Sequence, residues 1–368
     1  MSLTGSPEGP LEVQLPRDGE GLIQRAEAAI ANEELAEAVR LADAAEHAGA
    51  EPDRCAGNRW MAHMLGGDLH AAWRESDAIR GRGAPDPHRF WTGEELRGKR
   101  VILRSLHGFG DAVQMFRFLP RLQALASHLI VEVPPRLMEL APYFDGMGEV
   151  ITWGEHAPTE PPAWDVQIEV MELPYLLGVS TADLEPTQGY LHLPASLKAE
   201  VEAVMGPKQR PRVGVVWTAG VWNPSRSIPA AVVPELSHVQ EVEFWDLEHR
   251  QELGTETSAF ERWRDASACG DGIQRLAAVI QAMDLMVTVD TLAAHLAGAL
   301  GIPCFLLLQN RADWRWMARR TDSPWYPSLR LYRQSAPGDW IGLVAQVRAD
   351  INRWKVNVKA PELLASKG

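Results

Sequence analysis

The chain has 368 residues, 46% of them hydrophobic, and carries 36 Lys and Arg against 49 Asp and Glu, a net charge of −13. This length predicts two or three domains, and the hydrophobic content excludes a disordered chain. The acidic balance argues against binding to nucleic acid or to an anionic membrane surface. Three scattered cysteines indicate neither a disulfide framework nor a zinc cluster, and they fit a cytoplasmic setting. No apolar run approaches the ~18–20 residues of a transmembrane segment.

The first 88 residues predict a leader and a helical arm. Residues 1–19 are polar and rich in Gly and Pro, which is typical of a flexible leader. Residues 20–88 are rich in Ala and Glu, with apolar residues at helical spacing. Two stretches align at an offset of 34 residues, which places Ala38 on Ala72, and this period resembles tetratricopeptide helix pairs. Two pairs leave apolar faces uncovered, so we expect the arm to pack on the next domain of the chain; contact with an acceptor, a protein partner or a second copy is a further hypothesis.

From Lys99 onward, strand-like runs alternate with helices in two series, which we assign to residues 89–205 and 206–338. This alternation predicts the α/β class with two doubly wound parallel sheets. Residues 339–356 predict a final amphipathic helix. Because ligands of such sheets bind outside the carboxyl ends of the strands, the site is expected in the cleft between the two domains.

A glycine-rich loop follows the first strand of the first series. It reads His107-Gly108-Phe109-Gly110-Asp111, and its two glycines allow a sharp turn and a close approach of ligand to backbone. Asp111 stands at the start of the next helix. A catalytic role and simple helix capping are equally good explanations for it.

A second candidate opens a helix of small residues in the second series. Asp290 and Thr291 end a strand there, and the free N–H groups and dipole of the helix suit a phosphate. His295 lies one turn later on the same face. The alternative is an Asp/Thr cap followed by a core histidine.

Two further loops follow strands of the second series. The first holds Trp217, Thr218, Trp222 and Arg226; an arginine facing a helix N-terminus suits a pyrophosphate, although an exposed arginine in a polar loop is the commoner case. The second runs from Gln309 through Asp313 and Trp314 into a locally basic stretch, with six Arg and two Asp between residues 311 and 333. For its tryptophans the alternative is a place in the core. Since no His, Cys, Asp and Glu set has metal-ligand spacing, we expect neither a metal nor a cofactor.

Four segments resemble, in this order, bacterial glycosyltransferases of the heptosyltransferase type, glycosyltransferase family 9, in the branch fused to tetratricopeptide repeats. They are FWTGEELRGKRVILRSLHGFGDAVQMFRFLP, RVGVVWTAG with SRSIP, AMDLMVTVDTLAAHLAGALGIP, and DWRWMARRTDSPWYPSLRLYRQSAPGDW. The resemblance implies a GT-B fold of two Rossmann-like domains. Residues 89–205 are then the acceptor domain, 206–338 the nucleotide-sugar donor domain, and 339–356 a helix that crosses back to the first domain.

The resemblance also implies an activity: inverting, metal-independent transfer of a sugar from a nucleoside-diphosphate sugar to an acceptor hydroxyl. Asp111 matches the family's general base. The fused branch usually has Glu-Gln where this chain has Leu106-His107, so His107 is the alternative base. The predicted donor-binding residues are Gly108, Gly110, Trp217, Thr218, Trp222, Arg226, Asp290, Thr291, His295, Gln309, Asp313 and Trp314.

Two other functions compete with transfer. A scaffold of this fold can bind a nucleotide or a partner without catalysis, and a sugar-nucleotide epimerase has a similar fold. The sugar, the nucleotide base and the acceptor, whether glycolipid, protein or small molecule, are left open by the residues.

Overall fold

The computed structural model describes most of the chain, namely residues 18–83, 90–154, 162–184, 189–220, 223–248, 260 and 262–365. Side chains are described as far as residue 356. Residues 1–17 of the predicted leader and Trp222 lie outside the described residues. The chain divides into two compact units, residues 1–83 and residues 84–368.

The first unit is all-helical over its described residues, as predicted. Its helices are α1 (Gly19–Ala31), α2 (Leu35–His47), α3 (Pro52–Gly66) and α4 (Leu69–Arg82). The start of α4 follows the start of α2 by 34 residues (69 − 35), which equals the period in the sequence. Small buried residues such as Ala26, Ala38 and Ala42 let these helices pack closely. The tetratricopeptide assignment itself stays a prediction.

The second unit begins with a parallel sheet. Its strands are β1 (Arg100–Arg104), β2 (His128–Val133), β3 (Glu149–Thr152) and β4 (Val166–Glu169), in the order β3-β2-β1-β4. Helices α5 (Phe109–Met115), α6 (Leu119–Leu125) and α7 (Leu173–Leu176) belong to the same half. The helix predicted after β2 is instead two 3-10 turns, which begin around Pro135 and Pro142, because proline lacks the N–H that a helix interior needs.

A second parallel sheet follows, in the order β10-β9-β8-β5-β6-β7. Its elements are α8 (Ala195–Met205), β5 (Arg212–Val216), β6 (Glu243–Asp246), β7 (Arg264–Asp265), α9 (Ile273–Gln281), β8 (Leu285–Val289), α10 (Leu292–Leu300), β9 (Cys304–Leu308), β10 (Leu329–Arg333) and α11 (Trp340–Ala365). This is the usual Rossmann strand order. The predicted α/β class with two parallel sheets is confirmed, although the sequence did not reveal β7 or β10.

Two helices bear on the predicted domain boundaries. The boundary at residue 205 assigns α8 to the first domain, but α8 packs against α9 and the turn at Ala266–Cys269 of the second. The apolar face of α11, predicted from its spacing, is buried against the second sheet and consists of Trp340, Leu343, Val344, Val347 and Ile351. Farther along, Lys355 Nζ donates to the carbonyl of Gln240, 2.8 Å away. The crossing of this helix back to the first domain stays a prediction.

The strand orders fix where a ligand would enter the second unit. The order reverses between β1 and β4 in the first sheet and between β5 and β8 in the second. Crevices outside the carboxyl ends of strands at such switch points are the usual binding places. Among the helices of the described residues, none has the length and apolar character needed to cross a membrane.

Candidate functional site

The two switch points meet where α5 packs against α10. A close approach joins Gly110, in the first turn of α5, to His295 on α10. A Cβ at Gly110 would lie only 2.5 Å from His295 Cδ2, so a residue without a side chain is required there. Two loops that the sequence singled out separately therefore lie side by side. Gly110 serves the packing of one domain on the other.

Asp111 links the two sheets through an arginine. Its Oδ2 accepts the N–H of Gly108 at 2.9 Å, and its Oδ1 forms an ion pair with Nη2 of Arg315. Arg315 lies on the turn after β9; its Nε donates to Gln114 Oε1 at 2.9 Å and its Nη1 to Asp313 Oδ1 at 2.7 Å. The Arg315 side chain is only 13% exposed. The capping explanation for Asp111 thus accounts for one of its two carboxylate oxygens.

Arg315 was not among the predicted site residues. It is one of six arginines in the basic stretch, and nothing in the spacing distinguishes it from the others. Its neighbour Trp314 packs beside its guanidinium group, which lies 4.7 Å from the ring centre. Trp314 and Asp313, both predicted donor residues, therefore hold Arg315 in place.

His107 faces a second residue that the sequence did not reveal, Glu169. His107 Nε2 lies 3.5 Å from Glu169 Oε1, and the two side chains are 55% and 14% exposed. Glu169 is the last residue of β4, and its Oε2 accepts the N–H of Met171 at 2.7 Å. Burial raises the pKa of Glu169. The sequence does show an acidic residue at the end of this strand. Its closeness to His107 follows only once the strand order places β4 beside β1.

Arg226 and Asp290 come together at the switch point of the second sheet. Nη1 of Arg226 lies 3.4 Å from Oδ2 of Asp290, and the arginine side chain is only 14% exposed, so the exposed-arginine alternative is wrong. Burial, together with the nearby Asp313, raises the pKa of Asp290. Gln309, at the end of β9, accepts the hydroxyl of Ser225 at 2.6 Å and so anchors the turn that carries Arg226.

Thr291 occupies the N-cap position of α10, as predicted. Its side chain makes no capping hydrogen bond, although the residue before the helix is in the extended conformation that capping uses. The capping alternative requires the Thr291 side chain to accept a first-turn N–H of this nine-residue helix. The structure shows no such bond, so Thr291 leaves these N–H groups open to another partner. This helix start follows directly on Asp290, the partner of Arg226.

His295 lies in the core, as the alternative of a core histidine predicts, and its assignment to the donor site stays a prediction. The ring is buried, and its Nδ1 lies 2.9 Å from the hydroxyl of Tyr326. Burial lowers the pKa of His295 to about 3, so the ring is neutral at pH 7. It supports the contact between α10 and α5 from the inside.

Trp217 and Thr218 have partners within the protein, and their assignment to the donor site stays a prediction. The Trp217 ring is 1% exposed and stacks on Phe260 with ring centres 5.2 Å apart, within the core of the second sheet. Glu248 accepts three hydrogen bonds of 2.7 Å, from the N–H groups of both residues and from the Thr218 hydroxyl. Burial raises the pKa of Glu248. The polar groups of this loop therefore bind a carboxylate of the protein itself.

The remaining predictions concern the glycines and metal. Gly108 is the N-cap of α5, and a Cβ there would lie 3.1 Å from Asp111 Oδ2, so this glycine is tightly fitted to the carboxylate. Within the described part of the chain, no group of three or more His, Cys, Asp or Glu side chains is placed to hold a metal ion.

Known structures resemble most of the chain. A glycosyltransferase of family 9 from Veillonella parvula matches with a TM-score of 0.52 at 14% identity, covering 75% of this chain and 99% of that one. The ADP-heptose lps heptosyltransferase II of E. coli matches with a TM-score of 0.50 at 14% identity, over 71% of this chain and 100% of its own. The chain has the fold of the family 9 glycosyltransferases. The resemblance inferred from the four sequence segments is confirmed at the level of the fold.

Sequence comparison adds one curated relative. The protein FlbA of Caulobacter vibrioides is 25% identical over 313 residues, which cover 71% of this chain and 48% of FlbA. The chain therefore spans about half the length of this relative. No model of a protein family matches the chain.

Proposed function

We propose that this protein is an inverting glycosyltransferase that moves a sugar from a nucleoside-diphosphate sugar to an acceptor hydroxyl. The observation that carries the proposal is the meeting of two switch points. One presents a partly buried arginine and a helix start without a capping side chain, Arg226 and Thr291. The other presents His107 and Asp111. A cation next to helix N–H groups suits a diphosphate, and a base across the cleft suits an acceptor hydroxyl.

On the donor side, the diphosphate is proposed to lie at the N-terminus of α10. Arg226 and the N–H groups that follow Thr291 would bind its oxygens, and Gln309 holds the turn that carries Arg226. The same donors stabilise the charge that develops as the diphosphate departs, which replaces a metal ion in this role. Metal independence is therefore part of the proposal.

On the acceptor side, the hydroxyl is proposed to bind outside the carboxyl ends of β1 and β4. Its oxygen attacks the anomeric carbon on the face opposite the diphosphate, so the configuration of the sugar inverts. Asp111 and His107 are the two candidates for the base that takes the proton.

One neighbour's name suggests where to begin. The E. coli structure is named as an ADP-heptose lps heptosyltransferase, so ADP and ADP-heptose come first in a ligand screen. We further propose that the helical unit is a tetratricopeptide-type arm that contacts an acceptor or partner, and that the protein acts in the cytoplasm.

The test is a thermal-shift and calorimetric screen of nucleoside diphosphates. A ligand at 100 times its Kd adds about 2.7 kcal/mol to the free energy of unfolding. Arg226→Gln should raise the Kd at least tenfold. The matched control is Arg320→Gln, because Arg320 lies in the basic stretch but is exposed and pairs with Asp322.

The outcomes separate the competing functions. Binding without turnover of any nucleotide sugar favours a non-catalytic binding protein. Release of a free sugar or an epimer without acceptor favours an epimerase. If no nucleoside diphosphate shifts the melting temperature at millimolar concentration, the transferase proposal is wrong.

A further inference from the structure

Both carboxylate oxygens of Asp111 are already engaged. Oδ2 accepts the N–H of Gly108 and Oδ1 forms the ion pair with Arg315. If Asp111 took a proton, the ion pair would lose its negative charge and leave a largely buried guanidinium with one carboxylate partner fewer. Losing one of its two carboxylate partners costs the largely buried Arg315 free energy, so Asp111 is poorly suited to exchange protons.

His107 is placed differently. Its side chain is more than half exposed at the end of β1, where an acceptor would enter. Because Nε2 faces Glu169, the other ring nitrogen, Nδ1, is left for a substrate. Glu169 is itself fixed, since its second oxygen accepts the N–H of Met171. Arg104 lies opposite Glu169 in the β1–β4 register, so the two strands end at the same level of the sheet.

We propose that His107 is the general base of the transfer and that Glu169 is the residue that positions it. This inference rests on the proposed function and deepens it. Nδ1 of His107 takes the proton of the acceptor hydroxyl while the hydroxyl oxygen forms its bond to the anomeric carbon. The bond from that carbon to the diphosphate oxygen breaks, and its electron pair leaves with the diphosphate. The carboxylate of Glu169 balances the charge on the imidazolium, as in other His–carboxylate pairs.

Asp111 then has a structural role. It keeps Arg315 in the cleft and closes the first turn of α5. Glu172, on the turn that follows β4, is a further charged group close to Glu169. Met171 separates Glu169 from Arg315, whose Nη2 lies 3.9 Å from the Met171 sulfur.

The experiment measures hydrolysis of the nucleoside-diphosphate sugar that the screen identifies, with water as the acceptor. We expect His107→Ala to lower kcat at least 100-fold, and added imidazole to restore part of it because the position is open to solvent. Glu169→Gln should lower kcat about tenfold with the donor KM unchanged. In the His107→Ala background, Glu169→Gln should have no further effect, because its role acts through the histidine.

Controls and contrary outcomes are built into the same assay. Glu172→Gln makes the same chemical change on the turn that follows Glu169 and should leave kcat within twofold of wild type. If Asp111→Asn abolishes hydrolysis while Glu169→Gln and His107→Ala do not, the pair is not the base and the proposed function stands. If calorimetry detects no donor binding or no hydrolysis occurs in wild type, the proposed function fails and this inference fails with it.

Discussion

Asp111 and Arg315 form an ion pair that joins the carboxyl ends of the two parallel sheets. The carboxylate belongs to the first turn after β1, and the guanidinium belongs to the turn after β9. Because Arg315 also bonds Gln114 from the first half and Asp313 from the second, it has partners on both sides of the cleft. Charged side chains from both halves of the second unit therefore line the proposed active site.

Removing this arginine is expected to destabilise the fold. Arg315→Met should lower the free energy of unfolding by about 2 kcal/mol, because it leaves two partly buried carboxylates without their cation. Urea denaturation followed by tryptophan fluorescence measures the loss. Arg320→Met, an exposed cation, should cost less than about 0.5 kcal/mol. The double variant Arg315→Met/Asp111→Asn should be less damaging than the sum of the single variants, and strict additivity would contradict the pairing.

The contact between Gly110 and His295 predicts a steric penalty. Gly110→Ala places a Cβ 2.5 Å from the His295 ring and should cost about 1–3 kcal/mol of stability. Gly57→Ala is the matched control, because Gly57 lies inside α3 with open space around it. That change should raise stability by up to about 1 kcal/mol. Equal melting temperatures for the two variants would rule out the close approach.

The buried, neutral His295 predicts a pH dependence of stability. Burial lowers its pKa to about 3, so between pH 6.5 and about 3 the unfolded chain binds a proton here that the folded chain does not. Above pH 6.5 this histidine therefore does not reduce the free energy of unfolding. Below pH 6.5 the free energy of unfolding decreases as the pH is lowered. Going from pH 7 to pH 5 should cost about 2 kcal/mol through this residue.

Urea denaturation at pH 7, 6 and 5 measures this slope. In His295→Gln the slope should be smaller, whatever the absolute stability of the variant. His70→Gln, an exposed histidine of α4, serves as the control for losing any histidine. A wild-type slope in His295→Gln would show that the histidine is not buried in its neutral form.

Trp217 separates core packing from donor binding. Trp217→Ala should cost about 3–5 kcal/mol, as for other large residues removed from a core. Trp217→Phe should fold and bind a nucleoside diphosphate with wild-type affinity, since the ring stacks on Phe260 and not on a ligand. Calorimetry on the Phe variant decides the matter. A large loss of affinity in this variant would return Trp217 to the donor site.

The sequence alone determined much of the fold and the order of its parts. The runs RVILR, HLIVEV, LMVTV and CFLLL are largely apolar, as strands of a parallel sheet covered on both faces must be. The helical arm, the first switch-point loop and the helix after Asp290 were likewise predicted from local patterns. These features depend on residues that are close together in the chain, so the sequence pattern is sufficient to predict them.

Only the tertiary structure decided which of the predicted residues lie close together. Trp217 and His295 match a family motif as well as Arg226 does, yet burial places their rings in the core. No local sequence pattern distinguishes Arg315 or Glu169. Their partners, Asp111 and His107, lie more than 60 residues away in the chain. The contact of His107 with Glu169 depends on the strand order of the first sheet, and that of Asp111 with Arg315 depends on the packing of the two sheets, and neither is fixed by local sequence.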